Sequence, residues 1–399
     1  MTVLKFTLGP DIDINRAGVS IQDLFRLFGT DVLYGHVDHY KMIAMRTRTT
    51  PSELKLSLAP QGRFEAIDVT ERIAETSDLL DRHGRTLFCS HHTTAGYLDR
   101  SLTLRMNNSY DLLSQFFHAF RALFPEGAEY RHDQVDLRTE LSDEQKIVEP
   151  RNGDSHLTFI GAGMKNCVTH RNETHAPVYF IDLDGTTEAY RRERKTTIVG
   201  FDRERQVAEM CVNIPVSRHP IDSINLADPR LGLLQSVEER LRELGVKYAR
   251  VDLMMHSAER NAGLTVNEYE TLLVKHDLVE VLQNPLRFAR IKGRHMIEDP
   301  LSIPAKTVSY AQYDAVRILN SLMEALRIDQ SSFERLIAKL LSLPARCFFR
   351  SRRVSFLASC DGGSVAHIVR GTYQSPILVQ WQSAERQTRH IDISIVELS

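Results

Sequence analysis

One unit is written twice in this chain. Residues 85–90, Arg-Thr-Leu-Phe-Cys-Ser, form an apolar run that closes on His91 and His92, and Tyr248-Ala-Arg-Val-Asp-Leu-Met-Met runs apolar into His256 in the same way. Each half also closes on a charged turn and an alternating stretch, Lys195-Thr-Thr-Ile-Val-Gly in one and His390-Ile-Asp-Ile-Ser-Ile-Val in the other. Alternation of period two marks a half-buried strand. Helical spacing lies between these runs. Residues 69–80 follow Asp68, which is placed to cap a helix, and residues 110–124 put Leu112, Leu113, Phe116, Phe117, Phe120 and Leu123 on one broad face before Pro125 stops it. Leu231 to Leu244 and Tyr269 to Leu282 answer to these two helices. The expected fold is therefore α+β, a tandem duplication in which each copy carries a mainly antiparallel, β-sandwich-like sheet and two helices.

On this division residues 1–52 are an N-terminal extension, 53–205 the first copy and 206–399 the second, with a helical insertion near 300–345. The junction falls at the polar stretch Asp202 to Gln206. With 42% hydrophobic and 26% charged residues the chain has the make-up of an ordinary globular protein, not of a disordered one. A net charge of −2 with scattered basic residues provides no field for nucleic acid. No apolar run reaches the roughly 20 residues that span a bilayer, and the first residues lack the organisation of a signal peptide, so no membrane partner and a cytoplasmic location are expected. The five cysteines include no CxxC pair and read as free thiols, with Cys89 in the core. The densest basic run, Arg191-Arg192-Glu193-Arg194-Lys195, either caps a strand beside solvent or binds phosphate.

Three histidines stand in settings that suit chemistry. His92-Thr93-Thr94-Ala95-Gly96 follows a strand exit, His132 lies in Tyr-Arg-His-Asp, and His156 in Asn-Gly-Asp-Ser-His. Most of the 16 histidines must be ordinary surface or core residues. Imidazoles arriving from three separate segments are nevertheless what a facial metal or phosphate site requires. Thr93 and Thr94 would add hydroxyl donors, and Asp154 is placed to orient an imidazole through its second nitrogen. Neutral imidazoles point to a divalent metal, zinc or magnesium; protonated ones point to phosphate.

The blocks Gly62-Arg-Phe-Glu-Ala-Ile-Asp-Val-Thr-Glu-Arg, His-Thr-Thr-Ala-Gly, Tyr-Arg-His-Asp and Asn-Gly-Asp-Ser-His-Leu occur in this order over about residues 53–200. In order and spacing they resemble the YjbQ-like family, the secondary thiamine-phosphate synthases. The resemblance places His92, His132 and His156 on the family's motif histidines. It implies a transferase that joins a pyrimidine pyrophosphate to a thiazole phosphate, and a homo-oligomer with sites near subunit boundaries. Family members run His-Thr-Thr-Ala straight into Leu-Thr-Ile-Asn-Glu. Here the first half keeps the former and continues Tyr97-Leu-Asp-Arg-Ser101, whereas the second keeps only Asn267-Glu268, and Gly371-Thr-Tyr-Gln374 resembles the family's Gly-Thr-Trp-Gln. His256 and His295 would answer to His92 and His132, with Arg335 in the region of His156. This reciprocal loss suggests a composite pocket of His92, His132 and His156 with Glu268 and Gln374; the plainer reading of Glu268 is a favourable charge at the start of the helix from Tyr269. The implied function is a metal- or phosphate-dependent enzyme on a small phosphorylated or heterocyclic substrate, recruited to a specialised pathway. The alternative is a ligand-binding or regulatory protein that kept the pocket.

Overall fold

The computed structural model describes residues 50–172, 176–186, 191–283, 349, 351–360, 363 and 365–399. The first half runs β1 (Ser52–Leu58), β2 (Glu65–Asp68), α1 (Val69–Thr76), β3 (Arg85–Ser90), β4 (Ala95–Gly96), α2 (Tyr110–Leu123), α3 (Gly153–Ala162), β5 (Cys167–Arg171), β6 (Tyr179–Asp182) and β7 (Arg194–Phe201). The second runs β8 (Glu204–Pro215), β9 (Asp222–Asn225), α4 (Leu233–Leu244), β10 (Tyr248–Met255), β11 (Ala262–Asn267), α5 (Leu278–Gln283), β12 (Arg353–Ser359), β13 (His367–Val369), β14 (Ser375–Gln380) and β15 (Thr388–Leu398).

Both halves build the same two sheets. The first has the orders β1-β7-β3-β5 and β2-β6-β4, and the second β8-β15-β10-β12, extended by β13, and β9-β14-β11. Every pairing is antiparallel. Individual hydrogen bonds repeat too. Ser90 N to Asn166 O (2.7 Å) recurs as Met255 N to Arg352 O (2.9 Å), and Tyr97 N to Lys165 O as Leu264 N to Ser351 O, both 2.8 Å. Gly96 and Gly263 are thereby equivalent, and for one reason: a Cβ on either would lie 2.5 Å from Lys165 O or 2.6 Å from Ser351 O. The same register pairs His91 N with Lys195 O and His256 N with His390 O. His256 therefore answers to His91, not to His92 as the sequence alone suggested.

Helix starts follow their caps, with corrections. Asp68 accepts from Thr70 N and starts α1, which ends at Thr76, four residues short of the apolar spacing; a separate turn, Leu79–Arg82, continues it. Ser109 caps α2, which buries Leu113, Phe116 and Phe117. The helix expected from Tyr269 begins only after Glu270 and passes through a π-helical turn, Leu273–Asp277. Sequence periodicity gave no sign of α3, because all ten of its residues are buried and no polar face exists to alternate with. Its N-cap residue, Asn152, spends no side-chain bond on the helix. Asp133 takes over by accepting from Gly153 N at 2.9 Å, and Gly163, at φ 71°, ends the helix in the left-handed region.

The two halves share their interior. One apolar cluster joins Phe124, Tyr130, Leu157 and Ile160 of the first to Leu273, Leu278, Val281, Ile377 and Val379 of the second. Another joins Leu87, Cys89 and Phe201 to Leu357 and Leu398. Residues 50–399 accordingly form one compact unit. The extension up to residue 49, the helical patterns near 300–345, His295 and Arg335 lie outside the described residues. Among the described residues no helix is long and apolar enough to cross a membrane. Leu278→Ala, in the shared cluster, is expected to cost about 2–5 kcal/mol. Urea unfolding of that variant should remain one transition, coincident by far-UV circular dichroism and by fluorescence of Trp381, the only tryptophan.

Candidate functional site

At the junction of the halves, a helix of one meets a strand end of the other. His156 sits in the first turns of α3, His132 follows α2 and its loop, and Glu268 is the residue after β11. Ligand atoms of these three side chains lie within 4.8 Å of one another, the one such group of histidine, cysteine and carboxylate side chains among the described residues. The rings of His132 and His156 cross edge to face with centroids 4.8 Å apart.

Each ring is oriented through Nδ1. His156 Nδ1 lies 2.7 Å from Asn267 Oδ1, whose amide also accepts from Glu268 N and donates to Thr93 O, so Nδ1 carries the proton and Nε2 keeps its lone pair. That Nε2 is buried and makes no hydrogen bond, and it faces Glu268 Oε2 at 3.6 Å. Burial and the neighbouring His132 push the His156 pKa down to about 3. His132 Nδ1 meets Glu270 Oε2 at 3.0 Å and its Nε2 meets Asn152 Oδ1 at 3.1 Å. Burial works against its charged form, but the Glu270 hydrogen bond and the Glu268 charge outweigh it and raise the His132 pKa. Asp277 fixes the segment by accepting from the backbone of Arg131 and His132. Glu268 Oε1 is tethered by Arg138 Nη2 at 3.0 Å; burial raises its pKa against the pull of His132 and Arg138.

A second layer of charge lies behind. Asp184 accepts from Thr94 Oγ1 and from Asn152 Nδ2, each at 2.6 Å, and bonds to Arg194, with Arg192 Nη2 at 3.2 Å. Burial opposes its ionisation, yet Arg194 and Arg192 hold its carboxyl well below the usual range. Arg194, 2% exposed, also grips Asp182 through Nε and Nη2. The basic run leads into β7 with Arg191, Glu193 and Lys195 exposed, and only Arg194 is turned inward.

The expected site residues divide. His132, His156 and Glu268 come together; His92 does not join them. Its Nε2 accepts from Lys195 N at 2.7 Å and its Nδ1 faces Arg194, and burial with the Arg194 charge pushes its pKa to about 3. Thr94 spends its hydroxyl on Asp184, and Thr93 contributes its carbonyl. Asp154 does not orient His156: it pairs with Arg63 at 2.8 Å, and Asn267 does the orienting. Gln374 does not face a ligand either; its amide donates to Ser90 O and His92 O and accepts from Gly371 N. A Cβ on Gly371 would overlap His91 O, so this loop clamps the strand exit of the other half. Glu270, not Glu268, starts the following helix, accepting from Leu272 N and Leu273 N.

Sequence reasoning missed Asn152, Asp184, Arg192 and Arg194 as a set. The signal was present: Asp182 and Asp184, like Arg192 and Arg194, are two residues apart, a spacing that puts both members on one face of an extended chain.

No family model matches the chain, and no curated protein matches it. The chain is similar to solved structures of YjbQ-like proteins. A YbjQ-like protein of unknown function from Sulfolobus solfataricus P2 aligns at 15% identity over 49% of this chain and 99% of its own, with a TM-score of 0.26. A hypothetical protein from Aeropyrum pernix K1 aligns at 14% identity over 48% and 99%, TM-score 0.25. An uncharacterised YjbQ-family protein from Clostridium acetobutylicum aligns at 12% identity over 47% and 98%, TM-score 0.23.

Arg194→Ala is expected to cost about 3–5 kcal/mol in urea denaturation, because it leaves Asp182 and Asp184 buried without their cation; a change near zero would mean the two carboxyls accept protons instead. Gln374→Ala should cost about 1–3 kcal/mol by the same measurement, since Ser90 O and His92 O lose their donor.

Proposed function

We propose that this chain is an enzyme that holds a divalent cation between its two halves and acts on a small phosphorylated or heterocyclic substrate. The observation that carries this reading is the buried, unpartnered Nε2 of His156 facing the Glu268 carboxylate while Asn267 holds the opposite side of the ring. Metal-bound histidines ordinarily donate their other ring N–H to a carbonyl or carboxylate, which Asn267 and Glu270 supply. His132, His156 and Glu268 would hold the cation, at the expense of the His132 proton. Two nitrogens and one carboxylate suit zinc or another borderline metal; magnesium favours oxygen alone. When bound, such a cation neutralises charge on a reacting oxyanion.

The protein's own groups fit an anionic substrate. Arg192 Nε and Nη2 are buried and make no hydrogen bond, although Nη2 is ion-paired to Asp184. A guanidinium edge in that state suits two oxygens of a phosphate. Arg138 holds Glu268 against its own rotation, and Asn152 links His132 to the Asp184–Arg192 pair. Transfer of the thiamine-phosphate synthase kind, with pyrophosphate leaving, requires positive charge at the leaving oxygens, and Arg192 is the side chain that would provide it beside the cation. One observation favours a pocket that binds without turnover: His92, Thr94 and Gln374 have spent their polar atoms inside the protein.

Elemental analysis of the full chain loaded with zinc and then desalted tests the proposal. A stoichiometric cation is expected, lost in His156→Ala and Glu268→Gln and kept in His92→Ala. Asn267→Ala should weaken zinc affinity by about 10–100-fold. No retained cation, or loss in His92→Ala alone, would contradict it. Pyrophosphate release from a pyrophosphorylated pyrimidine supplied with a thiazole phosphate separates the enzyme from the binding protein.

A further inference from the structure

A second cation-rich place lies where β5 meets β12, and its lining shares no residue with the histidine site. It is a cleft of about 340 Å³ lined from both halves. Arg85 and Arg250 stand at equivalent positions on β3 and β10, and both bind one carboxylate, Glu204, at 3.0 and 2.6 Å. Arg250 and Arg353 likewise share Asp252, at 3.0 and 2.6 Å. Those three arginines are compensated.

Two further cations are not. The side chains of Arg100 and Arg171 line the cleft and make no ion pair or hydrogen bond among the described residues. Lys165 Nζ donates to Ser351 Oγ and Arg353 O and shares the charge of Asp99. Asp99 is the one other acid in the lining. His170 also lines it, and its Nε2 is buried with no partner. Burial lowers the Lys165 pKa to about 8 against the pull of Asp99, and burial with the Arg100 charge lowers that of His170 to about 4. Partly enclosed cations without counter-charge repel one another, and an anion relieves that repulsion.

The repeat gives this an internal control. Counting from the equivalent residues Tyr97 and Leu264, the counterpart of Arg100 is Asn267, which the second half uses to orient His156. The first half carries a cation at that position and turns it to the cleft.

We propose that the cleft binds a compact di- or polyphosphate anion between Arg100, Arg171 and Lys165. The cations come from separate segments, Arg100 from the start of the short helix Arg100–Arg105, Arg171 from the end of β5 and Lys165 from the connection between α3 and β5, which suits several phosphate oxygens better than a single carboxylate. Among the described residues no phenylalanine, tyrosine or tryptophan lines the cleft to offer a nucleoside base a stacking surface.

Isothermal titration calorimetry of pyrophosphate into the full chain, freed of metal by a chelator, tests this. Saturable binding is expected, tighter than that of inorganic phosphate and weakened about tenfold or more in Arg100→Ala/Arg171→Ala. Arg192→Ala, which removes the guanidinium offered to an anion at the histidine site, should bind pyrophosphate as the parent does, which separates this cleft from that site. Should the double variant fail to fold by circular dichroism, Arg171→Glu, at an exposed position, provides the same comparison. Absence of binding, equal affinity for phosphate and pyrophosphate, or binding that persists in the arginine variants would each overturn the proposal.

Discussion

The hydrogen bond from His156 Nδ1 to Asn267 Oδ1, 2.7 Å long and buried, joins a helix of the first half to a strand end of the second. Much else is arranged around it. It selects the ring's tautomer, leaves Nε2 as a bare lone pair, and brings Glu268 beside that lone pair because Glu268 is the next residue in the chain. The same amide reaches Thr93 O, so the strand exit that carries His92 is tied to the same point. The partners in this buried network come from both halves, and His156 Nε2 is a ring nitrogen they leave open.

Duplication explains why neither half is complete. Once two copies share one chain, a position duplicated in both can change in one without loss to the site. Asn267 stands at the histidines at the end of β11, while the residue at the same count in the first half is Arg100, at the start of a short helix; Arg194 holds two carboxylates, whereas its counterpart on β15, Arg389, binds Glu259 and Gln380. The shared apolar clusters make the fusion obligatory in physical terms, because separating the halves would expose Leu278, Leu357 and their partners to water.

The repeat, the antiparallel sheets and most helix positions were legible in the sequence because half-buried strands and amphipathic helices leave periodic traces. α3 left none, being buried on all sides. The site was legible in part. His132, His156 and Glu268 are motif residues, but His92 belongs to the same motif and lies with Lys195 and Arg194 instead. Which ring nitrogen is free depends on partners brought by distant segments, such as Asn267 and Glu270, and spacing along the chain does not encode them. The same limit assigned the orienting role to Asp154, near in sequence, when Arg63 had already claimed it.

A cation held by side chains from both halves would be visible by anomalous diffraction at the zinc edge from crystals of the zinc-loaded protein. The expected peak is bonded to His132, His156 and Glu268, with ligand distances of about 2.0–2.2 Å. A peak on His92, or a zinc site built from one half alone, would contradict the proposal.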